Sequence, residues 1–309
     1  MKAARIHRFG PPEVIVIDDL PIPMPTADEV LVRVKAAGVG PWDALIREHK
    51  SVVDSPLPLT LGSDLSGVVE AAGSPSNGFQ PGDPVFGVTN AQFIGAYAEF
   101  AIASASRIAP KPQALSFLEA ASVPVIAVTA WQMLFDYAKA SAGQRVLIHG
   151  AGGNVGAYAV QLAGRAGLDV FATASAEDAG HVKKLGAAAV IDFQHTRFEN
   201  AMPPVDIVLD TVGGETRERS YSVIKPGGIL VSVVSQPQPD SGIVKGIRSV
   251  FFLVDVTTDR LRRIRELFET GKLIPRVGTV LPLEQARIAH QMLASAPHPP
   301  GKIVLSMGG

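Results

Sequence analysis

The pattern of apolar and polar positions changes character about a third of the way along this chain of 309 residues. Up to residue 118, short apolar segments of the length of β-strands are separated by Pro and Gly. We predict strands at residues 14–17, 29–36, 65–71, 84–88 and 99–103. This pattern is typical of a small, mostly antiparallel, barrel-like domain.

From about residue 116 onward, segments with helical spacing of apolar residues alternate with strand-like segments. Strands are predicted at 145–149, 169–173, 189–192, 206–210, 228–234 and 250–254. Helices are predicted at 117–122, 125–138, 154–166, 176–185, 215–223 and 259–270. Strands that alternate with helices imply a parallel sheet covered on both faces. The tail, 272–307, returns to short strands around a helix at 283–294, and we expect its last strand to rejoin the first domain.

Composition and charge narrow the class of protein. Apolar residues make up 47% of the chain and the net charge is −1, so no broad basic field favours nucleic acid or an anionic membrane. The N-terminus has no signal-like apolar region and no apolar segment is long enough to span a bilayer, so we expect a cytoplasmic protein. There is no cysteine, and the seven histidines lack the close spacing of metal ligands. We therefore expect no zinc site and no disulfide.

The segment from Arg145 to Gly156 carries the strongest functional signal. A β-branched strand leads into a glycine-rich turn, and a helix follows from Asn154. Such a turn lets a ligand approach the backbone, and the free N–H groups of the helix face negative charge, which favours a dinucleotide diphosphate. A turn that only packs a strand against a helix is the alternative, which the strand–helix context makes less favourable. The predicted diphosphate contacts are Gly150, Ala151, Gly152, Gly153, Asn154, Val155 and Gly156.

The end of the second strand of this half bears on the choice of cofactor. An acidic residue at that place grips the ribose hydroxyls of NAD. Here the strand ends at Ser175, whose small hydroxyl leaves room for a 2′-phosphate, and Lys183 follows on the next helix. Glu177 and Asp178 argue against this unless they point to solvent, and Lys183 could equally be a solvated helix residue. We predict NADPH in preference to NADH.

Two later strands end near the same predicted site. Ligands of open parallel sheets lie beyond the carboxyl ends of the strands. The residues expected to line the nicotinamide half are Val212, Ser232, Val234 and Ser235. The Pro- and Gly-rich patch at 235–242 follows a strand and is a candidate ligand loop.

Five segments together resemble the medium-chain dehydrogenase/reductase superfamily, and within it the zinc-free, zeta-crystallin-like branch of NADPH:quinone oxidoreductases. They are 37–43 (AGVGPWD), 61–70 (LGSDLSGVVE), 82–87 (GDPVFG), 121–131 (ASVPVIAVTAW) and 149–156 (HGAGGNVG) with 185–187 (LGA). The resemblance covers nearly the whole chain. It implies an α/β fold with a doubly wound Rossmann sheet and a GroES-like β-rich catalytic domain. The expected limits are 1–120 for the catalytic domain, 121–255 for the NADP-binding domain and 256–309 for the return to the catalytic domain.

The resemblance also implies roles for single residues. Thr129 corresponds to a threonine near the nicotinamide, and Lys302 to a basic residue near the cofactor phosphates. Phe251, Phe252 and Leu253 form the segment whose backbone meets the carboxamide and which often pairs across a dimer. We therefore expect a homodimer.

Two positions depart from the family pattern. Phe193 stands where relatives often carry Tyr against the adenosine phosphate, so that hydroxyl is absent. Gly40 stands where the pattern Val-Asn-Pro-x-Asp places Asn, although the Pro and the Asp remain. The residues assigned to the substrate side are Gly40, Pro41, Trp42 and Phe93. The candidates for a general acid are Asp43 and Tyr97, with water as the alternative proton donor.

The resulting hypothesis is a metal-free, NADPH-dependent reductase that transfers hydride to a quinone or to an α,β-unsaturated carbonyl compound. Its rate would come mainly from proximity and orientation. One alternative is a non-catalytic NADPH-binding sensor or scaffold on the same fold. Another is an enoyl-type double-bond reductase with an acyl-chain substrate.

Overall fold

The computed structural model of the protein describes residues 1–51, 56–74, 78–238, 243–294 and 296–308. The chain divides into two units. The first contains Met1–Val125 together with Asp255–Gly309, and the second contains Ile126–Val254. These limits lie a few residues from the domain boundaries expected from the sequence.

The N-terminal part of the first unit is rich in short strands. Its strands are β1 (Lys2–Ile6), β2 (Ile15–Asp19), β3 (Glu29–Val39), β4 (Leu59–Thr60), β5 (Asp64–Ala72), β6 (Pro84–Val88), β7 (Phe100–Ser104) and β8 (Ile108–Pro110). Its helices are α1 (Pro41–Arg47) and α2 (Phe117–Ala121), and α3 (Pro124–Trp131) leads into the second unit. The helix predicted at 125–138 is thus interrupted, because a π-helical turn over Gln132–Tyr137 replaces its second half.

The second unit alternates strands and helices. Its strands are β9 (Arg145–Ile148), β10 (Asp169–Ala174), β11 (Ala189–Asp192), β12 (Val205–Asp210), β13 (Ile224–Ser232) and β14 (Arg248–Phe251). Its helices are α4 (Asn154–Arg165), α5 (Ala176–Lys184) and α6 (Gly214–Ser220). All strand pairs are parallel, and the spatial order is β11-β10-β9-β12-β13-β14. This order reverses between β9 and β12, as in a doubly wound Rossmann sheet, and a ligand crevice is expected at that reversal.

The C-terminal segment returns to the first unit. It contains α7 (Thr258–Glu269), β15 (Val277–Pro282), α8 (Ala286–Ala294) and β16 (Lys302–Ser306). β16 pairs in parallel with β15 and antiparallel with β3, so the last strand joins the large sheet in the order β15-β16-β3-β5-β6-β8. The expected return of the chain end to the first domain is confirmed. A separate sheet has the order β2-β1-β4.

Burial follows the patterns seen in the sequence. On α4 the buried face includes Tyr158, Ala159, Leu162 and Ala163, at the helical spacing that predicted the helix. The central strands β9 and β12 are buried almost throughout, as expected for strands covered on both faces. No helix in the described ranges is long and apolar enough to cross a membrane.

Candidate active site

The glycine turn between β9 and α4 has the geometry of an anion site. Gly150 has φ +69°, and a Cβ at this position would lie 2.4 Å from Oγ1 of Thr211, so only glycine fits. Gly153 is the N-cap of α4, and no side chain in the described ranges caps that end of the helix. The first N–H groups of α4 therefore lack side-chain acceptors and are available to a negatively charged group.

A cavity of about 330 Å³ lies beside this turn, at the carboxyl ends of β9 and β10. Six residues predicted from the sequence line it: Gly150, Gly152, Gly153, Ser175, Phe193 and Val212. Eight further lining residues are His149, Thr173, Ala174, Asp178, Thr196, Phe198, Thr216 and Arg219. Of these eight residues, only Asp178 bears on the choice of cofactor made from the sequence. The others come from the ends and flanks of several elements, and only the sheet topology brings them together.

A chain of hydrogen bonds holds His149 neutral under the cavity. The hydroxyl of Ser220 donates to the carbonyl of Thr216 (2.7 Å), so it accepts from Nε2–H of His149 (2.9 Å). Nδ1 of His149 then accepts from the hydroxyl of Thr173 (3.0 Å), whose oxygen receives the N–H of Gly150 (3.4 Å). Burial lowers the pKa of His149 to about 4. His149 is thus a fixed support that ties the glycine turn to α6.

Arg219 is a basic residue on the cavity wall and is not among the site residues predicted from the sequence. Its guanidinium donates two hydrogen bonds to the carboxylate of Glu199, at 2.6 and 2.7 Å, and lies over the ring of Phe198. Hydrogen bonding to Arg219 lowers the pKa of Glu199 to about 2. Arg219 could have been identified from its place on α6, because this helix begins at the ligand-binding edge of the sheet.

Asp210 organises the turn that follows β12. Its Oδ1 accepts the N–H groups of Val212 and Gly213, and its Oδ2 accepts the hydroxyl of Ser232 at 2.8 Å. Ser232 is fully buried, and its hydroxyl supports this turn. This position argues against a direct contact between the hydroxyl and a cofactor. Val234 is half-exposed beside it.

The other predicted cofactor residues of the second unit occupy varied positions. Ala151 is buried beneath the turn, whereas Asn154, Val155 and Gly156 form the first turn of α4. Thr129 is buried in α3, Phe251 ends β14, Phe252 stacks on Tyr137, and Leu253 is exposed.

Ser235 accepts two hydrogen bonds from Arg217. Lys183 is exposed in the last turn of α5 and does not line the cavity. Of the candidate ligand loop at 235–242, residues 239–242 lie outside the described residues.

In the first unit, Asp43 and Tyr97 form a buried pair. Oδ2 of Asp43 accepts the N–H of Gly40 and the hydroxyl of Tyr97, both at 2.8 Å. Burial raises the pKa of Asp43 to about 7, although both hydrogen bonds oppose this. Both side chains are fully buried and bonded to each other. This argues against direct proton transfer to a substrate from either, and indicates that they position the start of α1.

A second buried group surrounds Lys302. Its ammonium lies 3.1 Å from Oδ2 of Asp64, in an ionic contact whose angles are poor for a hydrogen bond, and 4.2 Å from the centre of the Trp42 ring. Trp42 Nε1 donates to the hydroxyl of Ser63 at 2.9 Å. Both Lys302 and Asp64 are almost completely buried. Lys302 is therefore held in an ion pair, and its contact with cofactor phosphates stays a prediction.

The remaining substrate-side candidates are more accessible. Pro41 is exposed at the first position of α1, and Phe93 is half-buried with φ +60°, packed against the core of the first unit. Within the described ranges, no cluster of three or more His, Asp or Glu side chains could hold a metal ion.

Comparison with known proteins places these features in one family. The chain is 31% identical to a quinone oxidoreductase of Mus musculus over 99% of its own length and 97% of that protein. This chain belongs to the quinone oxidoreductase family of the medium-chain dehydrogenase/reductase superfamily. The resemblance drawn from the sequence segments is thereby confirmed.

Domain and structure comparisons agree with this membership. The family model of the alcohol dehydrogenase GroES-like domain matches residues 26–113, and that of the zinc-binding dehydrogenase matches 185–305. The quinone oxidoreductase of Coxiella burnetii superposes with a TM-score of 0.91 at 34% identity, over 100% of this chain and 99% of that one. The Escherichia coli quinone oxidoreductase complexed with NADPH gives 0.89 at 26% identity, over 99% of this chain and 100% of that one. The predicted fold class, a Rossmann sheet with a GroES-like domain, is confirmed.

Family membership makes the chain an oxidoreductase of the quinone oxidoreductase type. It does not test the roles of individual residues, the predicted dimer or the absence of zinc, so these stay predictions.

Proposed function

We propose that this quinone oxidoreductase family member transfers hydride from NADPH to a quinone, or to the β-carbon of an α,β-unsaturated carbonyl compound, without a metal ion. The observation that carries the proposal is the cavity at the carboxyl ends of β9 and β10, bounded by the glycine turn and the uncapped N-terminus of α4. NADPH, found in the E. coli relative, is the cofactor proposed here.

The residues present fit such a cofactor. The backbone of Gly150, Gly152 and Gly153 is open to a diphosphate, because side chains are absent, and the first N–H groups of α4 complement its charge. Phe193 offers an exposed apolar face on the same cavity, suited to the adenosine half. His149 and Asp210 fix the surrounding turns through hydrogen bonds.

When bound, NADPH supplies a hydride from its nicotinamide ring. Hydride transfer to a quinone gives a hydroquinone monoanion, which takes up one proton to become the hydroquinone. Reduction of an enone places the hydride on the β-carbon and one proton on the α-carbon. Since Asp43 and Tyr97 are buried and bonded to each other, we assign the proton to solvent water.

The test is the oxidation of NADPH with benzoquinones and alkenals as acceptors, before and after dialysis against a chelator. We expect turnover with at least one acceptor class and no loss on metal removal. Activity that disappears with the chelator and returns with zinc would refute the metal-free part. Tight NADPH binding without turnover on any acceptor would favour the sensor or scaffold alternative. Turnover only with acyl-chain enoyl substrates would favour the enoyl-type double-bond reductase.

A further inference from the structure

The wall of the cofactor cavity on the side of α6 carries a guanidinium group to which the proposed function assigns no role. The lining runs from the glycine turn and Ser175 to Phe193, Phe198 and Arg219. A nucleotide whose diphosphate lies on the glycine turn and whose ribose lies at the end of β10 places its base further along this lining. Arg219 therefore lies where a planar ring with hydrogen-bonding nitrogens at its edge would be bound.

Two neighbours hold the guanidinium of Arg219 in a fixed plane. Its Nε and Nη2 donate to the two carboxylate oxygens of Glu199 at 2.6 and 2.7 Å, and its Cζ lies 4.9 Å from the centre of the Phe198 ring. Phe198 in turn packs edge-on against the ring of His149, with the ring centres 4.8 Å apart. A guanidinium that is already oriented loses little side-chain entropy when it donates to a ligand.

The third nitrogen of the guanidinium is not used by this pairing. Nη1 of Arg219 lies 4.0 Å from Oε1 of Glu215, which is beyond hydrogen-bonding distance, and Glu215 is exposed. A guanidinium has five N–H groups, and those on Nη1 can donate to a molecule bound in the cavity that Arg219 lines.

The charges around Arg219 decide which part of the nucleotide it suits. Hydrogen bonding to Arg219 lowers the pKa of Glu199 to about 2, so this carboxylate is ionised and neutralises its partner. Arg197, 3.5 Å from Glu199, and Glu215 add one charge of each sign. A 2′-phosphate would gain little net attraction from four charges that cancel. An uncharged base needs only a donor, and the ring nitrogens of adenine accept hydrogen bonds.

We propose that Arg219 recognises the adenine base of the cofactor: Nη1 donates a hydrogen bond to a ring nitrogen at the edge of the base, while Glu199 and Phe198 hold the guanidinium in place for it. The inference rests on the proposed function, because it takes the cavity to be the adenosine end of the NADPH site. Arg219 is then a binding residue for the base, Glu199 is its positioning residue, and the 2′-phosphate is bound by other groups.

The experiment measures by calorimetry on the full chain the binding of adenosine 2′,5′-bisphosphate, of AMP, and of the three deaza analogues of AMP in which N1, N3 or N7 is replaced by C–H. The variant is Arg219→Met, which keeps an unbranched chain over Phe198 and removes the donor. Arg197→Met is the matched control, because its guanidinium contacts the same Glu199 carboxylate from an exposed position outside the cavity lining. Arg219→Lys keeps a charge beside Glu199 without the planar fork, and replaces the methionine variant should that one fold poorly.

We expect the Arg219 variant to bind AMP and the bisphosphate more weakly by the same factor, about tenfold, because each loses one hydrogen bond from a charged donor. One deaza analogue should bind the wild type about tenfold more weakly than AMP does, and should lose no further affinity in the variant. Arg197→Met should leave these affinities nearly unchanged.

Three results would count against these assignments. A loss confined to the bisphosphate would overturn the proposal and assign Arg219 to the 2′-phosphate. Deaza analogues that all bind the wild type as AMP does would show that no ring nitrogen accepts from Arg219. A wild type that binds neither the bisphosphate nor NADPH would instead refute the proposed function.

Discussion

The indole ring of Trp42 lies directly against the Cα atom of Gly40: a Cβ built on Gly40 would come within 2.3 Å of Cη2 of the ring. The same ring donates through Nε1 to Ser63 and covers the ammonium of Lys302. Glycine at position 40 is thus required by its neighbour two residues along the chain. The departure from the family Asn has a packing cause, since an Asn side chain would need the space that the indole fills.

The first prediction concerns this pair. Gly40→Ala should destabilise the protein by about 1–3 kcal/mol through overpacking, since the backbone of Gly40 (φ −134°, ψ 163°) is open to any residue. In a Trp42→Ala background the same change should cost much less, which gives a coupling energy of about 1 kcal/mol or more. Urea unfolding of the two single variants and the double variant measures it. Additive free energies would show that the ring does not restrict position 40.

The second prediction concerns the buried ion pair of Lys302 and Asp64. Lys302→Met leaves the Asp64 carboxylate buried without its cation, so we expect a loss of about 3–5 kcal/mol of stability. Adding Asp64→Asn removes the charge and keeps an Oδ1 acceptor for the N–H of Val125. The double variant should therefore recover most of the loss. Equal instability of single and double variants would mean that the methionine itself does not fit.

The third prediction is a pH dependence that comes from Asp43. Its pKa is about 7 in the folded protein against an ordinary value of 3.8, so the folded state binds the proton more tightly between these values. This contribution to stability is full below pH 3.8 and is lost as the pH rises through about 7. Asp43→Asn removes it, so the stability of the variant relative to wild type should rise with pH by up to about 1.4 kcal/mol per unit. Denaturation curves across this range check it, and a constant difference would contradict it.

The fourth prediction has the opposite sign and concerns His149. Its pKa is about 4 in the folded protein against 6.5, so the unfolded state binds the proton first and stability falls as the pH drops from 6.5 to about 4. His149→Gln should reduce this pH-dependent loss of stability by up to about 1.4 kcal/mol per pH unit. His290 has a pKa of about 3 for the same reason, burial, and leaves a residual slope. The informative quantity is therefore the free energy of unfolding of the variant minus that of the wild type. If this difference does not change with pH, His149 is not buried in its neutral form.

The fifth prediction separates a positioning role from a catalytic one for Tyr97. Tyr97→Phe removes the hydrogen bond to the buried Asp43 carboxyl and should cost about 1–3 kcal/mol of stability. It should leave kcat within a few-fold of wild type, and the pH profile of kcat should keep its shape. A fall in kcat of a hundredfold or more in a folded variant, matching the usual size of general acid catalysis, would restore Tyr97 as the acid.

Local sequence patterns were sufficient for the parallel half of the fold. The helices at 154–166 and 176–185 and the strands around them followed from apolar spacing and from turns that need glycine, and the structure reproduces them within a few residues. The short helix α1 was missed, because its seven residues are held by the buried Asp43 and Arg47 more than by any helical pattern. The predicted strand at 250–254 ends at Phe251, where the pairing of β14 with β13 stops.

By itself the sequence determined the glycine turn, the order of strands and helices, the absence of cysteine ligands and the family. These are local or compositional properties, which short-range sterics and hydrophobic spacing encode directly. Only the tertiary structure decided which charges meet. Asp178 turns to Gly152, Arg219 is bound to Glu199, and Lys302 lies between Asp64 and Trp42, because pairings between distant segments depend on the packing of the whole sheet and on burial.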